Sequence, residues 1–394
     1  MYESNFVSKW LISIHAMYIL VLRCSVKFQD FIQDLVEVSD LNSGFLKCVA
    51  KYILPKTFIL VGQIELRVSS NMKPDFLTIF CPLALLFLFL IFYVGVQVYP
   101  KSVHALNDTT ITDFNVAAVG DWGCKPETIR TVNNIIKNNP DLVLGLGDYA
   151  YRDDASCWFK IIEPIYGRMK IAIGNHDARD YVENGTIPSP SRLKQYMNHF
   201  NLSRQYYSFD YKNVHFVALS VETLYGVGSK QFDFVQRDLQ KTTSNHNVEW
   251  IVVFYHNLEY SSPSNSTKSL VKLRTVYHPL FEKYGVDLVL QAHNHNYQRS
   301  YPLKFNIGNT SNPIISDMNI SNYNEPHGQI FTTVGTGGVN QVHNFVGKAP
   351  YTVTQFASFG FLNLVFTNNG TKLTGEFLDN SGIVKDQFAI TKSK

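Results

Sequence analysis

The chain has 394 residues, 45% hydrophobic and 17% charged, a balance that excludes a disordered or collagen-like chain and allows a sizeable core. With 35 Lys and Arg against 32 Asp and Glu the formal charge is +3, too weak an excess to argue for nucleic acid as the main partner. Five cysteines without a CxxC pair exclude a disulfide scaffold and a zinc knuckle.

Residues 1–71 hold an apolar run at 10–22 and Phe- and Val-rich patches, but no motif that carries chemistry. Residues 76–98, FLTIFCPLALLFLFLIFYVGVQV, contain no charge and reach the roughly 20 apolar residues that a bilayer-crossing helix needs. Lys73 precedes this run and the small residue Ala105 follows it, so residues 72–105 read as a secretory signal or a membrane anchor. The apolar body exceeds the usual signal core of roughly 7–15 residues, which favours an uncleaved anchor. A signal normally opens a chain, so Met72 is the expected native start and residues 1–71 an extension outside the native protein. A second membrane segment at 10–22, forming a hairpin with the later one, is the alternative.

Beyond residue 105 the texture changes. Asn-X-Ser/Thr acceptor sites stand at Asn107, Asn184, Asn201, Asn265, Asn309, Asn319 and Asn369, and none precedes the hydrophobic run. This one-sided distribution fits an exported part, residues 106–394, secreted or anchored on the outer face of the membrane. A Cys124–Cys157 disulfide is expected in such an oxidising compartment, with two free buried thiols as the alternative.

Within the exported part, strand-like and helix-like segments alternate. NVAAVGD (115–121) is a short apolar run, and Pro126 starts a helix-patterned ETIRTVNNIIKNN. DLVLGLGD (141–148) and MKIAIGNHD (169–177) repeat the strand pattern. QYYSFDYKNVHFVALSVET reads as a hairpin turning near Lys212 and Asn213. Residues 229–241 read as a helix, 248–256 as a buried strand, 270–284 as a helix and 286–295 as the next strand. After Gly328 only strand signals remain, in QIFTTVG, GFLNLVFT, TKLTGEFLD and KDQFAIT. Alternation followed by β-rich segments predicts two sheets face to face with helices outside, a four-layer αββα sandwich of the α/β class.

Each apolar strand of the first part ends in a polar cluster: Gly120-Asp121-Trp122-Gly123, Gly147-Asp148-Tyr149-Ala150-Tyr151, Gly174-Asn175-His176-Asp177, Tyr255-His256 and Ala292-His293-Asn294-His295. An Asp after a strand is by itself a turn or a helix cap. Five such clusters in order point to one site beyond the carboxyl ends of the strands. Carboxylate and phenol oxygens mixed with imidazoles suit paired transition metals better than calcium or a thiolate zinc site. A carboxylate can bridge two such ions roughly 3.5–4 Å apart, the spacing used for hydrolysis by activated water.

GDWG, GDYAY, GNHD, VFYH and AHNH in this order resemble the five motifs of the metallophosphoesterases, and specifically of the purple acid phosphatases. YHPLFEKYGVDLVLQAHNHNYQR and TVGTGG resemble later passages of that family, and the likeness covers about residues 115–338. Gly123 stands where most metallophosphoesterases have a His, and Tyr151, three residues after Asp148, stands where the purple enzymes carry an iron-binding tyrosinate. The resemblance implies a binuclear centre of Fe(III) with a divalent Fe, Zn or Mn. Asp121, Tyr151 and His295 would bind the ferric ion, and Asn175, His256 and His293 the divalent one. Asp148 would bridge the two. It further implies that His176 contacts the phosphate and protonates the leaving group, with Asp177 tuning it. Tyr149 is expected to pack or to wall the pocket.

Some positions depart from the family pattern. Ala292 replaces a glycine, Gln298 replaces an acidic residue, and NLEYSSPSNST after His256 lacks the histidines that family members place there to contact substrate. His278 is expected to be structural. Arg152 and Arg179 offer cationic contacts to phosphate or are surface charges. The expected activity is hydrolysis of a small phosphate monoester by a metal-bound hydroxide. A phosphodiesterase or nucleotide hydrolase on the same site is the first alternative, and a non-catalytic surface binding protein the second.

Overall fold

The structure is a computed structural model that describes residues 113–178, 191–265, 269–339 and 342–393. All of them belong to the compact unit Asp108–Lys394. The apolar runs at 10–22 and 76–98, Arg179, Asn107 and Asn184 lie outside the described residues. No helix among the described residues is long and apolar enough to cross a membrane.

The chain builds two mixed sheets. The first has the order β10 (Asn322–Asn324), β15 (Val384–Thr391), β14 (Lys372–Asp379), β13 (Gly360–Thr367), β1 (Phe114–Val119), β2 (Leu142–Gly145) and β3 (Met169–Ile171). The second runs β12 (Thr352–Phe356), β8 (Tyr297–Lys304), β11 (Gln329–Val334), β7 (Leu288–Gln291), β6 (Trp250–Phe254), β5 (Val214–Ala218) and β4 (Tyr207–Tyr211), with β9 (Ile314–Ile315) on β8. Strands β1, β2 and β3 are parallel, as are β5, β6, β7 and β11. These strands are buried along nearly their whole length, which is why they read as continuous apolar runs rather than alternating ones.

One core lies between the sheets, joining Val116, Ala118 and Leu144 of the first to Phe216, Val252, Leu288 and Ile330 of the second. Each such aliphatic or aromatic side chain contributes roughly 1.5–3 kcal/mol when fully buried. A second core covers the other face of the second sheet, where Val253 and Val289 meet Val235 and Leu239 of one helix and Leu273, Tyr277 and Phe281 of another. Those helices are α5 (Lys230–Thr242) and α6 (Val271–Lys283); earlier come α1 (Pro126–Asn138), α2 (Ser156–Ile162), α3 (Asn175–Ala178) and α4 (Arg192–His199).

The helix boundaries follow local chemistry. Pro126 occupies the first turn of α1, where no amide partner is needed, and Asn139 ends it in the left-handed conformation, donating its N–H to Ile135. Ser229 caps α5 by accepting from the Phe232 amide. Helix α6 continues through Pro279, at a cost of about 3 kcal/mol, because buried Tyr277, Leu280 and Phe281 hold the segment in place.

Several elements differ from the expectation from sequence. The strands expected over 169–177 and 286–295 stop at Ile171 and Gln291, where the chain turns to aim the polar clusters. Helices α2 and α4 are too short for apolar periodicity to reveal them, and β8 and β12 lie in stretches where strand signal is diluted by polar residues.

Cys124 and Cys157 form a disulfide, with their Cα atoms 6.0 Å apart. It ties the loop after β1 to the start of α2, and closing a loop of 33 residues stabilises the fold by roughly 3–4 kcal/mol in the chain-entropy view.

Candidate metal centre

The polar clusters sit where the parallel strands of both sheets end. Backbone bonds extend the β1–β2 pairing past the strands: the amides of Asp121, Trp122 and Gly123 donate to the carbonyls of Gly147, Asp148 and Tyr149. The sheets are stitched at the same level by Gly120 N–H to the Val334 carbonyl, 2.9 Å. Four of the expected ligands, Asp121, Asp148, Tyr151 and His293, have φ between 56° and 68°. Non-glycine residues rarely adopt this region, and a run of them at strand ends marks backbone bent to aim side chains.

Two groups of side chains result. In the first, the Tyr151 hydroxyl donates to Asp121 Oδ1 at 2.7 Å and lies 3.2 Å from His295 Nε2, which is 3.3 Å from the same carboxylate oxygen. In the second, His256 Nε2 is 3.2 Å from Asp148 Oδ2 and 3.0 Å from His293 Nδ1. The two groups are tied by Asp121, whose Oδ2 accepts from the His293 amide at 2.8 Å.

The third cluster adjoins Asp148. Gly174 packs so closely that a Cβ there would lie 2.2 Å from Asp148 Oδ1, so only glycine fits. The next two residues open α3. The His176 amide donates to Asp148 Oδ1 at 2.8 Å, and its partly exposed ring lies against Tyr151 with centroids 4.4 Å apart. Asp177 points inward. Its carboxylate accepts from the amides of Asp148, Tyr149 and Gly174 at 2.8–2.9 Å, so it locks the second cluster to the third. Sequence sets Asp177 beside His176 as a tuning group, and the structure commits its carboxylate to these three backbone amides.

Residues 114–297 match the calcineurin-like phosphoesterase family. The chain carries a calcineurin-like phosphoesterase domain. It is similar to purple acid phosphatase 15 of Arabidopsis thaliana, 26% identical over 255 residues that cover 57% of this chain and 44% of that protein. It is also similar to acid phosphatase type 7 of Homo sapiens, 26% identical over 316 residues that cover 69% and 68% of the two chains. The chain spans about half the length of the plant relatives it matches. Among solved structures, a purple acid phosphatase from yellow lupin seeds shares the fold with a TM-score of 0.61 at 23% identity, covering 72% of this chain and 54% of the lupin chain.

The donor set of this phosphoesterase domain fits cations. His256 Nδ1 faces the Leu146 carbonyl at 2.9 Å, which keeps a proton on that nitrogen and aims Nε2 at Asp148 and His293, where a cation would displace its proton. Asn175 Oδ1 is buried without a hydrogen-bond partner, an acceptor that a cation would satisfy. The carboxylate of Asp148 and the imidazoles of His256 and His293 each offer a ligand atom, all within 4.8 Å of one another.

Electrostatics point the same way. Burial disfavours charge on Asp121, yet His256 and His295 and the Tyr151 hydroxyl hold it well below the usual carboxylate range. Burial likewise opposes charge on His256, but Asp148 and Asp121 outweigh it and push its pKa up to about 10. Two ionised carboxylates this deep recruit positive charge, and a metal ion would supply more of it than one imidazolium. Burial and the Asp121 charge raise the Tyr151 phenol well above its ordinary 10.0, so without a cation it stays protonated and donates.

The departures from the family pattern have structural accounts. Ala292 is fully buried and fits because residue 120 is glycine. Gln298 accepts from the Ser262 amide at 2.7 Å and donates to Asn296 Oδ1 at 2.9 Å, anchoring the loop after His256. His278 is buried away from the clusters, 2.7 Å from the Tyr260 hydroxyl and near the Leu303 carbonyl. Tyr149 is packed between Trp158 and Tyr196 with its hydroxyl on the Ala172 carbonyl. Arg152 is exposed.

Sequence reasoning passed over two residues that the fold brings to the site. His343 stacks on His295, and Arg192 of α4 reaches both Asp153 and the His176 carbonyl. His343 follows the TVGTGG loop by five positions, a proximity that was available as a signal. Arg192 had no signal, since its partners, the Asp153 carboxylate and the His176 carbonyl, are distant in sequence.

Proposed function

We propose that this chain is a binuclear metallohydrolase that cleaves small phosphate monoesters. The reading rests on one observation: two groups of oxygen and imidazole donors, Asp121–Tyr151–His295 and Asp148–His256–His293, meet at the ends of two facing sheets. Asp121, Tyr151 and His295 would hold Fe(III), Asn175, His256 and His293 a divalent Fe, Zn or Mn, and Asp148 would serve both. Bound there, the cations would polarise a phosphoryl oxygen and lower the pKa of water.

The chain's own residues do the rest. Asp148 and Asp121, held by backbone amides, keep their donor atoms in place before substrate arrives. His176 stands partly exposed beside Tyr151 and supplies the proton for the departing alkoxide oxygen at an imidazole nitrogen. Asp177 sets the position of His176 through the loop amides it binds. The chain's export, through a signal or anchor at residues 72–105, belongs to the same reading. Support comes from the Cys124–Cys157 disulfide and from the exposed acceptor residues Asn201, Asn265, Asn309 and Asn319, which would carry glycans.

Metal analysis of purified protein, joined to parallel assays on a monoester and a diester, tests the proposal. Two metal equivalents, a pink to purple colour and faster monoester cleavage are expected, and Tyr151→Phe bleaches the colour. A colourless protein replete with iron removes the tyrosinate assignment, and faster diester cleavage overturns the substrate class.

A further inference from the structure

The short segment that carries His343 is built against the ligand loop. Strand β7 ends at Gln291, and the chain from Ala292 to Asn296 runs through tight turns in which the Asn294 amide donates to Ala292 and the Asn296 amide to Asn294. Such a loop lacks the ladder that fixes a strand, so its ligands need other supports. His343 supplies several. The His295 amide donates to His343 Nδ1 at 3.1 Å, and the His343 amide returns a bond to the His295 carbonyl at 3.1 Å. The two imidazoles stack with centroids 3.9 Å apart and planes 16° from parallel.

His343 is itself held from both sides. Buried Asn296 donates its side-chain amide to the His343 carbonyl at 2.8 Å. The residues that follow pair with the loop after His256: Ser264 and Phe345 form an antiparallel bridge, the Asn265 amide donates to Asn344, and the Val346 amide donates to Pro263. An imidazole that accepts at Nδ1 from a backbone N–H carries its proton on Nε2 and is uncharged. It can therefore lie flat on a metal-binding imidazole without adding a positive charge.

We infer that His343 is a positioning residue for His295, fixing its backbone through Nδ1 and its ring plane by stacking, so that His295 Nε2 stays on Asp121 and Tyr151. This rests on the reading of His295 as a metal ligand. Loss of the imidazole would free the His295 ring to turn away from its cation. Supporting contacts of this kind are worth roughly 10–100-fold in metal affinity.

The experiment compares wild-type protein with His343→Ala and His343→Asn, each loaded with iron and zinc and challenged with a graded chelator. Retained metal is counted by elemental analysis, and the visible band is recorded alongside. His343→Ala is expected to lose iron about 10–100-fold more readily and to shift the band. His343→Asn, whose side-chain oxygen can accept from the His295 amide but which has no ring to stack, is expected to recover part of the loss. Wild-type affinity and an unmoved band in His343→Ala overturn the inference alone, as does His343→Asn behaving no better than alanine. Wild-type protein that binds no metal overturns the metallohydrolase reading, and this inference with it.

Discussion

Ala292 and Gly120 face each other with no room for a second methyl: a Cβ built on Gly120 lies 2.6 Å from the Ala292 Cβ. The contact joins the end of β1 in one sheet to the loop after β7 in the other, directly beneath Asp121 and His293. Gly120→Ala is expected to destabilise the fold by roughly 1–3 kcal/mol through overpacking. Ala292→Gly in the same chain should return part of that loss, since Leu146 also crowds the position at 3.0 Å. Chemical denaturation of the four proteins measures the coupling, expected at roughly 0.5–3 kcal/mol. Strict additivity would mean that the backbone moves apart and the methyls never meet.

His176 offers a second test. Its backbone amide is committed to Asp148 while its ring is partly open to solvent, so truncating the ring leaves that bond in place. His176→Ala is expected to lower turnover by roughly 10²–10⁴ with metal content near that of wild type. Steady-state kinetics with elemental analysis on the same sample checks both halves. Unchanged turnover would remove the leaving-group role.

A third prediction concerns stability and acidity. His215 of β5 lies between two carboxylates, with Nδ1 2.6 Å from Asp210 and Nε2 2.9 Å from Asp238 of α5. Burial lowers its pKa, but hydrogen bonds to Asp238 and Asp210 and their charges prevail and raise it above its ordinary 6.5. A group raised in the folded state stabilises fully below its unfolded pKa and loses that contribution as pH climbs through the folded value. Wild type should therefore exceed His215→Gln in melting temperature most at acid pH, with the gap narrowing above neutrality. A gap that is flat or widens with pH would show that the imidazolium clamp contributes nothing.

The strand-end clusters were legible because both halves of the signal are local. An apolar run such as VAAV or LVLG specifies a buried strand, and the polar residues after it cannot continue that burial. The Cys124–Cys157 pair was legible for a similar reason, each cysteine following a cluster in a neighbouring loop. Strand β12 and helix α4 were not, since five or eight residues carry too little periodicity to stand out from loop sequence. The inward turn of Asp177 was also hidden. Sequence put it next to His176, while the helical start of α3 sends the two side chains to different partners.

By itself the sequence determined which residue types arrive at the strand ends, in what order, and that oxygen and imidazole donors dominate among them. Only the tertiary structure decided which donor faces which, because hydrogen bonds such as His295 to His343 or Tyr151 to Asp121 join positions 48 and 30 residues apart. Periodicity and composition describe a chain's neighbours along the backbone. Distances across two packed sheets depend on register, turn geometry and the close approach that Gly174 and Gly120 permit, and those are properties of the folded chain.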